Sequence, residues 1–156
     1  MKIKIIILAI LTLTIYSCNN SGGAYLGEGE NNGKSYSIGD AASTKAVMGI
    51  AEAYSNQDAA QVISYYDASF LGENGKADTE AWLSSMNSIS MKPYKIVPLS
   101  LNGQEGQQVL TWSKEERDYK NGSYEKLDLM EMFFLNKAGK VTGFKQWKAI
   151  DSVNFG

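Results

Sequence analysis

The hydrophobic period of this chain changes once, near Pro93, and that change limits its fold more than any figure of composition. Before it, apolar residues recur at helical spacing. Val47, Ile50 and Tyr54 form one set with Ala46 and Ala53, Val62, Ile63 and Tyr66 a second, and Trp82, Leu83, Met86 and Ile89 a third. After it, apolar and polar residues alternate over 94–101, 107–118, 123–135 and 140–150. Turn residues separate these runs: Asn102 to Gly106, Asn121-Gly122, and Asn136 to Gly139. Asn-Gly between alternating segments is the strongest short-range hairpin signal, because both residues accept the positive φ of a tight turn. Three helices followed by a meander of strands give an α+β class: three N-terminal helices packed on one face of a curved four- to five-stranded antiparallel sheet.

Local signals set the expected helix starts. Ser43 or Thr44 caps the first helix, Asp58 with Gln61 three residues on opens the second, and Asp78 or Thr79 caps the third. Residues 67–75 read as a short extended piece and a turn. Pro98 has no N–H to give to a ladder, which places it at an edge or a bulge. The charged run Lys114-Glu115-Glu116-Arg117-Asp118 reads as the solvated tip of a long hairpin.

Composition excludes whole classes of chemistry. The chain of 156 residues suits one domain and a tether. It has no histidine, which removes histidine-based triads, histidine-ligated metals and the usual base near neutral pH. No phosphate-cradling glycine motif and no carboxylates at calcium-loop spacing occur, so neither a cofactor nor a metal is expected. The net charge is −2 and no basic run exists, so nucleic acid is not an expected partner. The one cysteine, Cys18, rules out a disulfide within the chain.

Cys18 follows Lys2, Lys4, an apolar run from Ile5 to Ile15, and Tyr16-Ser17. The apolar run is shorter than the about 20 residues a membrane-crossing helix requires. This pattern resembles the signal peptide and lipobox of bacterial lipoproteins. The resemblance implies removal of residues 1–17, acylation of Cys18, and attachment to a lipid membrane of the bacterial cell envelope. Several acyl chains on one residue meet the two-signal requirement for stable anchoring. Residues 19–42 are rich in glycine and poor in large apolar side chains, which describes a flexible tether of roughly 25–30 Å reach. The folded domain is expected over 43–152.

Two further segments resemble a known superfamily. Ala53-Tyr54-Ser55-Asn56-Gln57-Asp58 with Tyr65-Tyr66-Asp67-Ala68-Ser69-Phe70 is similar to the paired opening helices of the NTF2-like superfamily, which includes SnoaL-type cyclases and ketosteroid isomerases. Phe133-Phe134-Leu135-Asn136-Lys137-Ala138-Gly139-Lys140-Val141 is similar to its last hairpin. The resemblance implies a cone, a bent sheet wrapped around a long helix, with a pocket at the open end.

Within the third strand, Leu127, Leu129, Glu131, Phe133 and Leu135 share one face, and Asp128, Met130, Met132 and Phe134 the other. Both faces are largely apolar, which predicts helices on the inside and another subunit on the outside. Pairing Asn136 with Gly139 places Glu131 opposite Phe144, Leu129 opposite Gln146 and Asp128 opposite Trp147. By resemblance, Glu131 falls where ketosteroid isomerases carry a pocket carboxylic acid that donates to the substrate. The catalytic base of those enzymes falls near Glu73 or Asn74, and their helix-one tyrosine near Ile50. Glu131, Glu73 and Asp67 are therefore the candidate acid–base residues, and Tyr54, Trp82, Leu129, Glu131, Phe133 and Phe144 the candidate ligand-binding residues. Three functions fit: a tethered binding or accessory module that takes a small, mostly apolar ligand; a SnoaL- or isomerase-type enzyme using Glu131 and Glu73; and an interaction domain dimerising or docking a partner through the outer sheet face.

Overall fold

The structure is a computed structural model that describes Gly23 and residues 27–148. The leader, Cys18 and Ile150 lie outside the described residues. Among the described residues nine elements follow one another: β1 (Tyr36–Ile38), α1 (Ala41–Ser55), α2 (Ala59–Ser64), α3 (Ala68–Leu71), α4 (Gly75–Ser84), β2 (Met86–Leu101), β3 (Gln107–Tyr119), β4 (Tyr124–Leu135) and β5 (Val141–Lys148). The strands form one antiparallel sheet in the order β1-β2-β3-β4-β5. The α+β layout predicted by the period change is present, with the strand half longer than expected.

Each helix begins at an acidic cap or a turn. Asp40, not Ser43 or Thr44, caps α1, its carboxylate accepting from Ala42 N at 2.9 Å. Ser43 is buried instead and donates its hydroxyl to the Asp40 carbonyl at 2.5 Å. Asp58 caps α2 as expected, accepting from Gln61 N at 2.9 Å. Asp67 caps a single turn, α3, where an extended piece was expected. The helix α4 starts at Gly75, ahead of Asp78 and Thr79, and stops at Ser84.

Met86 and Ile89, expected on that helix, instead open β2. Their spacing of three is a property of the strand. The pairing with β3 shifts between Met86 and Ser88, where an extra residue enters β2. An inserted residue flips the alternation, so Met86 and Ile89 both face inward. A second shift lies between Pro93 and Lys95, and Pro93 is accommodated there. Pro98 sits just beyond the β1 ladder, its carbonyl accepting from Gly39 N at 2.9 Å.

Two other expectations need correction. Residues 36–38, inside the predicted tether, pair with Leu99–Leu101 and extend the sheet to five strands. The β4–β5 register differs by two residues from the expected one: Glu131 pairs with Gln146, Phe133 with Phe144 and Met130 with Trp147. The turn is wider than assumed, with Asn136 N bonded to Lys140 O at 2.9 Å and a shift between Phe134 and Leu135. A two-residue slip keeps every side chain on its face, so the division of inner and outer residues survives.

The sheet's inner face carries the core. Val47 and Ile50 of α1 pack with Val109, Phe133, Leu135 and Val141. Ala53, Val62, Leu83, Met86 and Ile89 form a second cluster where α1, α2 and α4 meet the start of β2. The outer face has Lys95, Trp112, Met130 and Trp147 in one cross-strand row and Val97, Leu110, Met132 and Lys145 in the next. Among the described residues no helix is long and apolar enough to cross a membrane.

Candidate functional site

The inner face changes character along the strands. On β3 the inward residues run Val109, Thr111, Ser113, Glu115 and Arg117, and on β4 they run Leu135, Phe133, Glu131, Leu129 and Leu127. The apolar end lies under α1. At the polar end a cavity of about 420 Å³ opens between the sheet and the helices. Volumes of this order hold small organic ligands.

Five aromatic side chains line the cavity. Tyr54 meets Trp82 edge to face at 5.6 Å, and Phe133 stacks on Phe144 at 6.2 Å. Tyr66 completes this lining, with Met91 from β2 and Asp78 and Thr79 from α4. Burial is the main cause that raises both Tyr54 and Tyr66 above the usual phenol value, so both stay neutral. The proximity of the two hydroxyls raises Tyr66 further and pulls Tyr54 partly back.

Glu131 lies on the cavity wall with 5% of its surface exposed. Its two oxygens accept from Gln146 Nε2 at 2.9 Å and Ser113 Oγ at 3.3 Å. Burial lifts its carboxyl above the ordinary range, and the charge of Glu115 adds to that; the bonds from Gln146 and Ser113 and the charge of Arg117 oppose it. The corrected register explains the Gln146 contact, because direct cross-strand partners bring their side chains together.

The run Lys114–Asp118 is not a solvated tip. Glu115 is 4% exposed, and Arg117 donates Nε to its Oε1 at 2.7 Å. Arg117 also donates to Glu125 Oε2 at 3.3 Å and lies over the Trp82 ring at 5.2 Å. Both Glu115 and Arg117 line the cavity. Their inward position follows from alternation: counting by two from Val109 reaches each of them. That period was the available signal, and the density of charge concealed it.

Of the candidate ligand residues, Tyr54, Trp82, Glu131, Phe133 and Phe144 line the cavity, whereas Leu129 is buried and does not. The candidate bases are elsewhere. Glu73 is exposed on the turn after α3. Asp67 accepts from Ser69 N at 3.0 Å, Ser69 Oγ at 2.6 Å and Asn136 Nδ2 at 3.0 Å. These bonds, those from Ser69 foremost, hold its carboxyl below the ordinary value, which suits a cap rather than a base. No group of three or more carboxylate, cysteine or histidine side chains that could hold a metal occurs among the described residues.

No family model matches the chain, and no curated protein does. Among solved structures, the chain is similar to TerC co-crystallized with polyporic acid. The TM-score is 0.49 and the identity 12%, over 69% of this chain and 91% of that one.

Proposed function

We propose that this protein is an exported module, held in the bacterial envelope by acylated Cys18, whose NTF2-like cone binds a small and mostly apolar ligand. The observation that carries this reading is the 420 Å³ cavity lined by five aromatic side chains and two nearly buried carboxyls, Glu131 and the ion-paired Glu115. Such a cavity recovers apolar surface from a ligand and fixes its orientation through a few polar groups. Binding is favoured over acid–base catalysis because Glu73 and Asp67 do not line the cavity with Glu131.

The test is a ligand screen read by tryptophan fluorescence, since Trp82 lines the cavity. Saturable binding to the native chain that disappears in Thr79→Trp, which fills the mouth from α4, supports the reading. Binding that persists in the filled variant contradicts it. The anchor is tested separately. Cys18→Ala moves the protein from the membrane to the soluble fraction, and a variant still found acylated refutes lipidation at Cys18.

A second reading rests on the outer face, where Trp147 is 46% and Ile38 72% exposed beside Val97, Leu110 and Met132. Apolar surface in contiguous rows marks an association site, here for a second copy of the chain. Light scattering during gel filtration distinguishes a dimer that Met132→Glu dissociates from a monomer.

A further inference from the structure

The charges around the cavity select the kind of ligand it takes, and the argument rests on the cavity being a binding site. Four charged side chains line it: Asp78, Glu115, Arg117 and Glu131. The one cation among them is already engaged. Arg117 is bonded to Glu115 at 2.7 Å and to Glu125 at 3.3 Å, and its guanidinium covers the face of Trp82. Neither Glu131 nor Asp78 has a salt bridge with any described lysine or arginine. The walls bearing these carboxylates are Tyr54, Tyr66, Phe133 and Phe144. Aromatic faces carry negative quadrupole density and attract a desolvated cation. An anionic ligand would meet Glu115 and Glu131 without a free cation to receive it.

We propose that the cavity takes an organic cation, an amine or quaternary ammonium borne on an apolar body, with its charged head held between the aromatic walls and Glu131. The apolar body fills the part lined by Met91 and Trp82, and Asp78 at the α4 wall adds attraction during entry. Glu131 becomes the counter-ion of the ligand. The titratable and charged groups that face it are Glu115 and Arg117 from β3, Tyr54 from α1, Tyr66 after α2 and Asp78 from α4. The carboxyl of Glu131 is buried without a salt bridge, so an arriving cation favours loss of its proton. Uptake of the ligand therefore releases a proton, and affinity rises with pH across the titration of Glu131.

Three indoles with one body and three charges test this: tryptamine, tryptophol and indole-3-acetate. Ligand-observed magnetic resonance gives their affinities for the full chain. The expected order is tryptamine first, tryptophol about tenfold weaker, and indole-3-acetate weaker still. Titration calorimetry of tryptamine in two buffers of different protonation enthalpy is expected to show net proton release. Glu131→Gln, checked for folding by circular dichroism, is expected to erase tryptamine's advantage over tryptophol and the proton release. Asp78→Asn, on an exposed helix position, serves as a second variant and is expected to weaken tryptamine about threefold. Equal affinity for tryptamine and tryptophol, with both displaced by Thr79→Trp, overturns the cation inference and leaves the binding reading standing. Stronger binding of indole-3-acetate overturns it in favour of Arg117 as the ligand's partner. No saturable binding of any of the three overturns it and removes support from the cavity reading as well.

Discussion

The two ends of the sheet's inner face are built on the same strands and do opposite things. At one end Val109, Leu135 and Val141 meet Val47 and Ile50, all almost wholly buried, and the space is filled. At the other, the inward row of β3 continues through the buried Thr111 and Ser113 to Glu115 and Arg117, where the space is left open. The backbone ladder is continuous across both ends. What differs is the helix cover: Val47 and Ile50 of α1 press on the filled end, whereas α4 and the last turn of α1, through Tyr54, frame the open one. A single alternating strand thus specifies core and cavity by a change of side-chain type at Thr111, with no change of backbone.

The comparison breaks most visibly at the filled end. Ile50→Ala is expected to lower stability by about 3–4 kcal/mol in urea unfolding, because the site is fully buried and the helix cannot collapse into the space. A loss below about 1 kcal/mol would mean that this end is loosely packed. At the open end, Glu115→Gln leaves Arg117 with only the half-exposed Glu125, and a loss of about 2–3 kcal/mol is expected. Retention of full stability would show that the pair is solvated in spite of its geometry.

The boundary between the ends is sharper still. The Thr111 hydroxyl is fully buried and has no hydrogen-bond partner. Thr111→Val keeps the shape and removes that polar atom, so a gain of about 1 kcal/mol is expected. A destabilised variant would point to a partner for the hydroxyl. As a control away from both ends, Lys137→Ala removes a bond to Glu105 between side chains that are each 80% exposed. Its effect is expected to stay below about 0.5 kcal/mol.

The filled end was legible in the sequence, and the open end only in part. Val47, Ile50 and Tyr54 announce α1, and the alternation through Leu127, Leu129 and Phe133 announces the inner face of β4. Asn-Gly and glycine turns placed each hairpin within a residue or two. Two bulges hid the beginning of β2, because an inserted residue gives Met86 and Ile89 the spacing of a helix. The strand β1 was hidden by glycine-rich flanks, since three paired residues leave little compositional trace. Glu131 was expected inside because it stands between Leu129 and Phe133. Glu115 and Arg117 were not, because a run of five charged residues resembles solvent-facing chain, and the period of two that turns them inward, with Glu115 buried against Arg117, is masked by the charges beside them. Gln146 required the correct register, which the turn's extra width decides.

The account depends on Glu131 standing at the wall of a hollow with too little support for its charge. Its folded carboxyl lies above its unfolded value, so the folded state binds the proton more tightly. Stability is then lost as pH rises from about 4.3, the unfolded glutamate value, through the raised folded value, and stays constant beyond it. Glu131→Gln carries no such titration. The measurement is the unfolding free energy of the native chain and of Glu131→Gln from acid to neutral pH. The account predicts that the native chain loses ground to the variant as pH increases and that the variant is equally or more stable at pH 7. A native chain that gains on the variant over the same range would show an ionised, well-paired glutamate, and the hollow built around it here would be wrong.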